Sequence, residues 1–185
     1  MHTPQAAELS ELIHQKVAEF KEVCEGLDEE TASLAPSGRW SPKEIVSHLC
    51  GPEGVGHMPT INAIMEEDTP LLEIEVENPF FSEDRARRTF AELLAEFDRE
   101  YDRVAEFVAD LSQEQLSRKA HIPFLKETPF GEYPSLGVWI QVIGKYHLDS
   151  HIEHMKEILE TLGVKSGMPR KPVGQEAHAT SPPTL

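Results

Sequence analysis

Three histidines in the stretch 135–163 have the spacing to bind a metal ion. His147, His151 and His154 interrupt an otherwise apolar stripe of helical period in SLGVWIQVIGKYHLDSHIEHMKEILETLG. Residues one turn apart on a helix have Cβ atoms about 5–6 Å apart, so His147 and His151 can converge on one ion. His151 and His154 form a second permitted pair, whereas His147 and His154 are separated by about 10.5 Å along the axis. The stretch therefore predicts a two-histidine ligand pair and leaves both pairs open.

A third histidine, His48, is predicted on the core face of another helix. The segment SPKE at 41–44 marks the start of that helix, because Ser41 can cap it and Glu44 can close a capping box. Ile45, His48 and Leu49 then share one face. Buried imidazoles cost desolvation without a packing benefit, and a shared ion offsets that cost.

Three neutral imidazoles define the chemistry that such a site can support. They suit Zn, Ni, Fe or Cu and disfavour Mg or Ca, which prefer oxygen ligands. Three protein ligands leave a coordination position for water or substrate, which is typical of catalytic rather than structural sites. The alternative is that these histidines are hydrogen-bonded core residues.

The elements that must position these histidines are four long helices. The apolar periods predict helices over about 4–26, from Pro42 onward, from Ser82 to about Asp110, and over 135–163. The run GPEGVGHMP after Cys50 predicts an interruption of the second helix. Strand patterns are scarce, so we predict an all-α four-helix bundle over residues 1–163. The segment 164–185 is rich in Pro, Gly, Ser and Thr and is predicted to be a disordered tail.

Two connections stand out. Residues 66–81 form an acidic linker, and residues 111–134 form a long connection of the kind that often serves as a lid or a pocket wall. The alternative is that 111–134 is a surface loop without a functional role. Glu53 and His57 lie in or beyond the interruption after Cys50, so their directions cannot be projected from a helical wheel.

The charge balance argues against two classes of partner. The chain has 17 basic and 33 acidic residues and a formal charge of −16. Without a basic cluster, neither nucleic acid nor an acidic membrane is expected as a partner. The N-terminus has no signal-peptide pattern, no run approaches the roughly 18 apolar residues of a membrane span, and Cys24 and Cys50 have no CxxC spacing. We therefore predict a cytoplasmic protein.

Two segments together resemble a known family. GRWSPKEIVSHL at 38–49 and YHLDSHIEHMKEI at 146–158 are similar to the DinB/YfiT-like proteins, and the resemblance runs across roughly residues 8–163. It implies a four-helix bundle whose metal is held by His48 and by the HxxxH pair His147 and His151. Glu53 matches an acidic position common in the family, which implies a catalytic role as general base or a supporting role behind a ligand.

The resemblance also implies the reaction class. The family includes metal-dependent hydrolases and thiol-dependent transferases and isomerases. We therefore expect a homodimer that binds a divalent transition metal, Zn or Ni before Fe, and activates water or a low-molecular-weight thiol toward a small-molecule substrate. The alternatives are a non-catalytic bundle for binding or assembly and, more weakly, a metal storage or sensing protein.

Overall fold

The computed structural model describes residues 3–164, in which four helical columns form a bundle. The columns are α1 (Pro4–Val23), α3 with α4 (Pro42–Cys50 and Met58–Glu66), α6 (Phe90–Ala109), and α8 with a π-helical turn and α9 (Leu136–Gln141, Val142–Tyr146 and His147–Thr161). Helix α1 packs against α6 and α9, and α3 packs against the same two helices, so α1 and α3 lie diagonally across the bundle. The all-α four-helix class is confirmed.

Short elements fill the connections between these columns. They are α2 (Glu29–Ala32), α5 (Glu83–Arg87), α7 (Gln113–Ser117) and a 3-10 turn (Pro123–Leu125). Within residues 3–164, β-type pairing is limited to the isolated bridges Leu71–His121 and Lys119–Ser135. The predicted disordered tail lies outside the described residues except for Val164.

The second column starts and breaks where the sequence predicts. Ser41 and Glu44 form both halves of a capping box, and Pro42 occupies the first turn of α3. Gly51 ends the helix with a φ of 71°, a conformation that favours glycine. The helix resumes as α4 at Met58. The chain between the two helices makes a tight turn that carries Glu53 and His57.

The third column differs from the prediction. One continuous helix from Ser82 to about Asp110 is wrong, because Arg88 is extended and separates α5 from α6. Thr89 caps the start of α6 and closes a second capping box with Glu92. Arg85 of α5 is fully buried, and its Nη2 donates to Glu96 Oε1 of α6 at 2.6 Å. This ion pair folds α5 back onto α6.

The last column is helical throughout but is not a regular α-helix as predicted. A π-helical turn over Val142–Tyr146 widens the backbone directly before His147. Gly144 in this turn packs so closely on α1 that a Cβ there would lie 2.5 Å from Ile13 Cγ1. π-Helical turns are frequent at functional sites.

A single apolar cluster fills the space between the columns, and it includes Phe20, Phe97, Tyr101, Leu148 and Met155. Cys24 and Cys50 are buried free thiols. Among the described helices, none combines the length and the apolar character needed to cross a bilayer.

Candidate metal centre

The structure brings the three predicted histidines together. One ligand nitrogen from each of His48, His147 and His151 lies within 4.8 Å of the others. The Nε2 atoms of His48 and His147 are 2.8 Å apart. The rings of His147 and His151 are nearly perpendicular, with centroids 4.7 Å apart. We call these three residues the histidine triad.

The His48 ring is fixed by a loop rather than by its own helix. Its Nδ1 lies 2.7 Å from the carbonyl oxygen of Asn78, so Nδ1–H donates to that oxygen. Such a bond to a carbonyl commonly orients a metal-binding histidine, because it holds the tautomer that leaves Nε2 free. The ring also stacks on Phe80, with centroids 6.1 Å apart. The segment before α5 therefore sets the direction of His48.

His151 has an unmet hydrogen-bonding group. Its buried Nδ1 has no hydrogen-bond partner among the described residues. The ring lies parallel to Trp40, at an interplanar angle of 2° and a centroid distance of 6.3 Å. A buried polar nitrogen without a partner costs desolvation free energy. A cation bound by the three imidazoles would offset part of the desolvation cost of burying them.

Burial keeps all three rings neutral, which is the form that binds metals. Desolvation lowers the pKa of His48 and lowers that of His151 to about 3. It also holds the pKa of His147 well below its usual range, and the neighbouring His151 and His48 add to that effect. Three neutral nitrogens at this separation fit a divalent transition metal.

His154, the alternative ligand, is not brought into the triad. Its ring lies 5.6 Å from that of His151 and 6.1 Å from that of Trp40. Burial lowers its pKa as well. The structure therefore groups His147 rather than His154 with His48 and His151.

Glu53 is not brought together with the triad. Its Oε2 accepts a hydrogen bond from Ser82 Oγ at 2.5 Å, and its Oε1 lies 2.7 Å from Arg88 Nη2. Both carboxylate oxygens are thus engaged with the residues that flank α5. The turn after Cys50 directs the side chain toward α5, and Glu53 does not line the cavity described next.

A cavity of about 570 Å³ opens from the triad. The connection 111–134 contributes four residues to the wall of this cavity: Phe124, Leu125, Thr128 and Phe130. It is therefore a pocket wall, as one of the two predictions for it stated, and not a surface loop away from any cavity. The linker 66–81 contributes a second wall between Glu73 and Phe80, which the sequence did not indicate. Residues 72–77, LEIEVE, alternate apolar and acidic residues as an extended segment does, but this pattern does not show that the segment lies against a cavity.

His57 is a further imidazole in the cavity wall that the sequence could not orient. Its Nε2 lies 2.8 Å from the carbonyl oxygen of Leu49, so Nε2–H donates and the neutral ring keeps its lone pair on Nδ1. Burial lowers the pKa of His57 and keeps the ring neutral. The cavity thus contains a fourth neutral imidazole outside the triad.

Comparison with known proteins agrees with this architecture. YfiT from Bacillus subtilis, described as a probable metal-dependent hydrolase with an unusual four-helix bundle topology, superposes with a TM-score of 0.70 at 18% identity, over 89% of this chain and 91% of that one. No curated protein matches the sequence. The family model of the DinB superfamily matches residues 12–155, a span that includes all three histidines of the triad. The chain therefore belongs to the DinB superfamily.

Proposed function

We propose that this protein is a metal-dependent hydrolase of a small molecule. The observation that carries the proposal is the triad itself, three neutral imidazoles with ligand atoms within 4.8 Å of one another at the wall of a cavity. The description of YfiT as a probable metal-dependent hydrolase supports the same class of reaction. In this proposal His48, His147 and His151 are the metal ligands.

The chain's own residues would bind and orient the substrate beside the triad. A divalent metal held there would polarise a carbonyl or phosphoryl group and lower the pKa of a water molecule. The largely apolar lining of the cavity lowers the local dielectric and so strengthens electrostatic interactions within it. The hydrogen bond from His48 Nδ1 to the Asn78 carbonyl would hold the ring of this ligand in place.

We assign proton transfer to His57 in preference to Glu53. His57 lines the cavity and keeps an unprotonated nitrogen, which is the form that accepts a proton. Glu53 takes the supporting role that the sequence also allowed. Through Ser82 and Arg88 it ties the turn after α3 to α5, next to the loop that holds His48.

Thiol transfer is the second reaction that the family resemblance implies, and it is tested with the same preparation. The hydrolase proposal would be replaced by thiol transfer if the metal-loaded protein consumes bacillithiol or glutathione in the presence of an electrophile and hydrolyses no ester.

Several properties stay predictions: the homodimer, the cytoplasmic location, and the identity of the metal and of any thiol.

Elemental analysis of the untagged protein tests the proposal directly. We expect close to one equivalent of Zn or Ni in the native protein and a loss of that metal in His147→Ala. His154→Ala is the matched control, because it removes an imidazole one turn from His151 that lies outside the triad. It should keep its metal.

Two results would overturn the proposal. Metal retained in His147→Ala would show that the triad is not the binding site. A native protein that binds no metal, with thermal stability unchanged by added Zn or Ni, would leave a bundle with core histidines and no catalytic role.

A further inference from the structure

The cavity beside the triad has a marked charge asymmetry. Among the described residues that line it, two are carboxylates, Glu73 and Glu75, and none is Lys or Arg. The lining side chains of fixed charge are therefore all negative, and a metal bound at the triad would be the one source of positive charge among the described residues of the cavity.

Both carboxylates lack a basic partner among the described residues. Glu75 Oε2 accepts a hydrogen bond from the Asn78 amide at 2.7 Å, which leaves its charge uncompensated. Glu73 is exposed and takes part in no ion pair within residues 3–164. The nearby Lys145 lies over the Tyr146 ring, but its ammonium is 2.6 Å from Asp149 Oδ2. The negative charge on this wall is thus available to a ligand.

The mouth of the cavity is apolar and exposed. Of the seven large hydrophobic residues that the described chain exposes, four line this one cavity: Val55, Val76, Phe124 and Tyr146. Exposed apolar residues that gather around one opening, rather than scattering singly, mark a binding site. Aromatic rings also attract cations through their negative faces.

We propose that the substrate is a molecule with an apolar body and a positively charged end, such as an amine, and that the wall with Glu73 and Glu75 disfavours an anionic end. The apolar body fills the aromatic part of the cavity, and the cationic end lies against Glu73 and Glu75. This substrate class rests on the proposed function, since it takes the cavity as the substrate site. It also disfavours glutathione-like thiols as substrates, because they carry carboxylates.

Binding of a charge-matched ligand series tests the inference without relying on catalysis. We would titrate 4-phenylbutylamine, 4-phenylbutan-1-ol and 4-phenylbutyrate into the metal-free protein by calorimetry, so that neither the amine nor the carboxylate can coordinate a metal. We expect the amine to bind about tenfold more tightly than the carboxylate, with the alcohol between them. Raising the salt concentration should reduce this difference and leave the alcohol unchanged.

Two double variants assign the effect to the cavity wall. Glu73→Gln/Glu75→Gln should bring the amine and the carboxylate to within about twofold of each other. Glu8→Gln/Glu22→Gln removes the same net charge from exposed positions on α1 and should keep the full preference. The inference is overturned if the carboxylate binds as tightly as the amine, if both double variants behave alike, or if none of the three compounds binds.

The failure of this inference can be told apart from failure of the proposed function. Zinc-loaded protein is assayed separately with the p-nitrophenyl esters of 6-aminohexanoate and hexanoate and with mono-p-nitrophenyl adipate. Amine preference without hydrolysis of any ester would support the cavity's charge selectivity and count against the hydrolase. Hydrolysis without a preference for the 6-aminohexanoate ester over the adipate would support the hydrolase and overturn the substrate class.

Discussion

The Nε2 atom of His48 lies 2.8 Å from the Nε2 atom of His147, although the two residues are 99 positions apart in the chain. Two nitrogen lone pairs cannot face each other at that distance without a proton or a cation between them. Because His48 already donates its Nδ1 proton to Asn78, the proton between the two Nε2 atoms belongs to His147 when both rings are neutral. A metal ion would take the place of this proton, so the bond to Asn78 has a direct consequence for metal affinity.

The Asn78 side chain should therefore influence metal binding without contacting the metal. Its Oδ1 accepts from the Phe80 backbone N–H at 2.8 Å and so shapes the loop that presents the Asn78 carbonyl to His48. Asn78→Ala keeps the backbone carbonyl and removes only the side chain that shapes the loop, so it should weaken Zn affinity by up to about tenfold, the lower end of the range seen when a partner of a metal-binding histidine is itself removed. Competition with a chromophoric chelator measures this.

A matched asparagine controls for the substitution itself. Asn62 is exposed on α4, and Asn62→Ala should leave Zn affinity unchanged. Equal affinities for the two variants would show that the loop does not set the direction of His48.

Much of the bundle and the triad could be predicted because their signals are local. The SPKE capping box fixes the start of α3, the HxxxH spacing places His147 and His151 on one helical face, and the Gly51 break ends α3 as expected. Each of these depends on residues within about two turns of one another. The grouping of His48 with the pair came from the family resemblance as much as from the helical pattern.

Other features needed tertiary information. The Asn78 carbonyl that holds His48 is a backbone group 30 residues away, and no side-chain pattern can reveal it. The direction of Glu53 depends on how the turn after Cys50 places it against Ser82 and Arg88. The break before α6 is different, because the sequence carries two helix starts there, the N-cap Ser82 followed by Glu83 and Asp84 and the capping box of Thr89 and Glu92, and the prediction used only the first.

His57 should contribute to the rate of hydrolysis but not to metal content. If it accepts a proton in the reaction, His57→Gln should lower kcat by about 10²-fold or more while the bound Zn stays the same. The assay is steady-state hydrolysis of p-nitrophenyl hexanoate by Zn-loaded protein. His14→Gln, at an exposed position on α1, is the control and should keep the native kcat. A native kcat in His57→Gln would show that His57 does not accept a proton in the reaction.

The metal-free protein should lose stability as the pH falls below about 6.5. The pKa of His151 is lowered to about 3 by burial, so between pH 6.5 and 3 the unfolded chain takes up a proton that the folded protein does not. The contribution of this residue to the free energy of unfolding is present above pH 6.5 and is lost as the pH falls. At pH 5 the loss from His151 alone is about 2 kcal/mol.

Urea unfolding at pH 7 and pH 5 measures this loss. His151→Ala should show a smaller decrease in the free energy of unfolding between the two pH values, whatever its stability at pH 7. Carboxylates with lowered pKa, such as Asp149, lose their stabilising effect mainly below about pH 4.5 and contribute little in this window. An unchanged decrease in His151→Ala would show that this ring is protonated in the folded protein.

The π-helical turn before His147 should tolerate no side chain at Gly144. A Cβ there would lie 2.5 Å from Ile13 Cγ1, so Gly144→Ala must displace α1 or the turn itself and should lower the free energy of unfolding by about 1–3 kcal/mol. Gly137→Ala in α8 is the matched control, because its Cβ would meet no atom closer than 3.4 Å and alanine favours the helix by up to about 1 kcal/mol.

A double-mutant cycle measured by urea unfolding tests whether the clash with Ile13 is the cause. Ile13→Ala removes the clashing atom, so Gly144→Ala should lower the free energy of unfolding by less in that background. If the two glycine variants have equal stability, or if Ile13→Ala gives no relief, then the contact with α1 does not hold this turn in place.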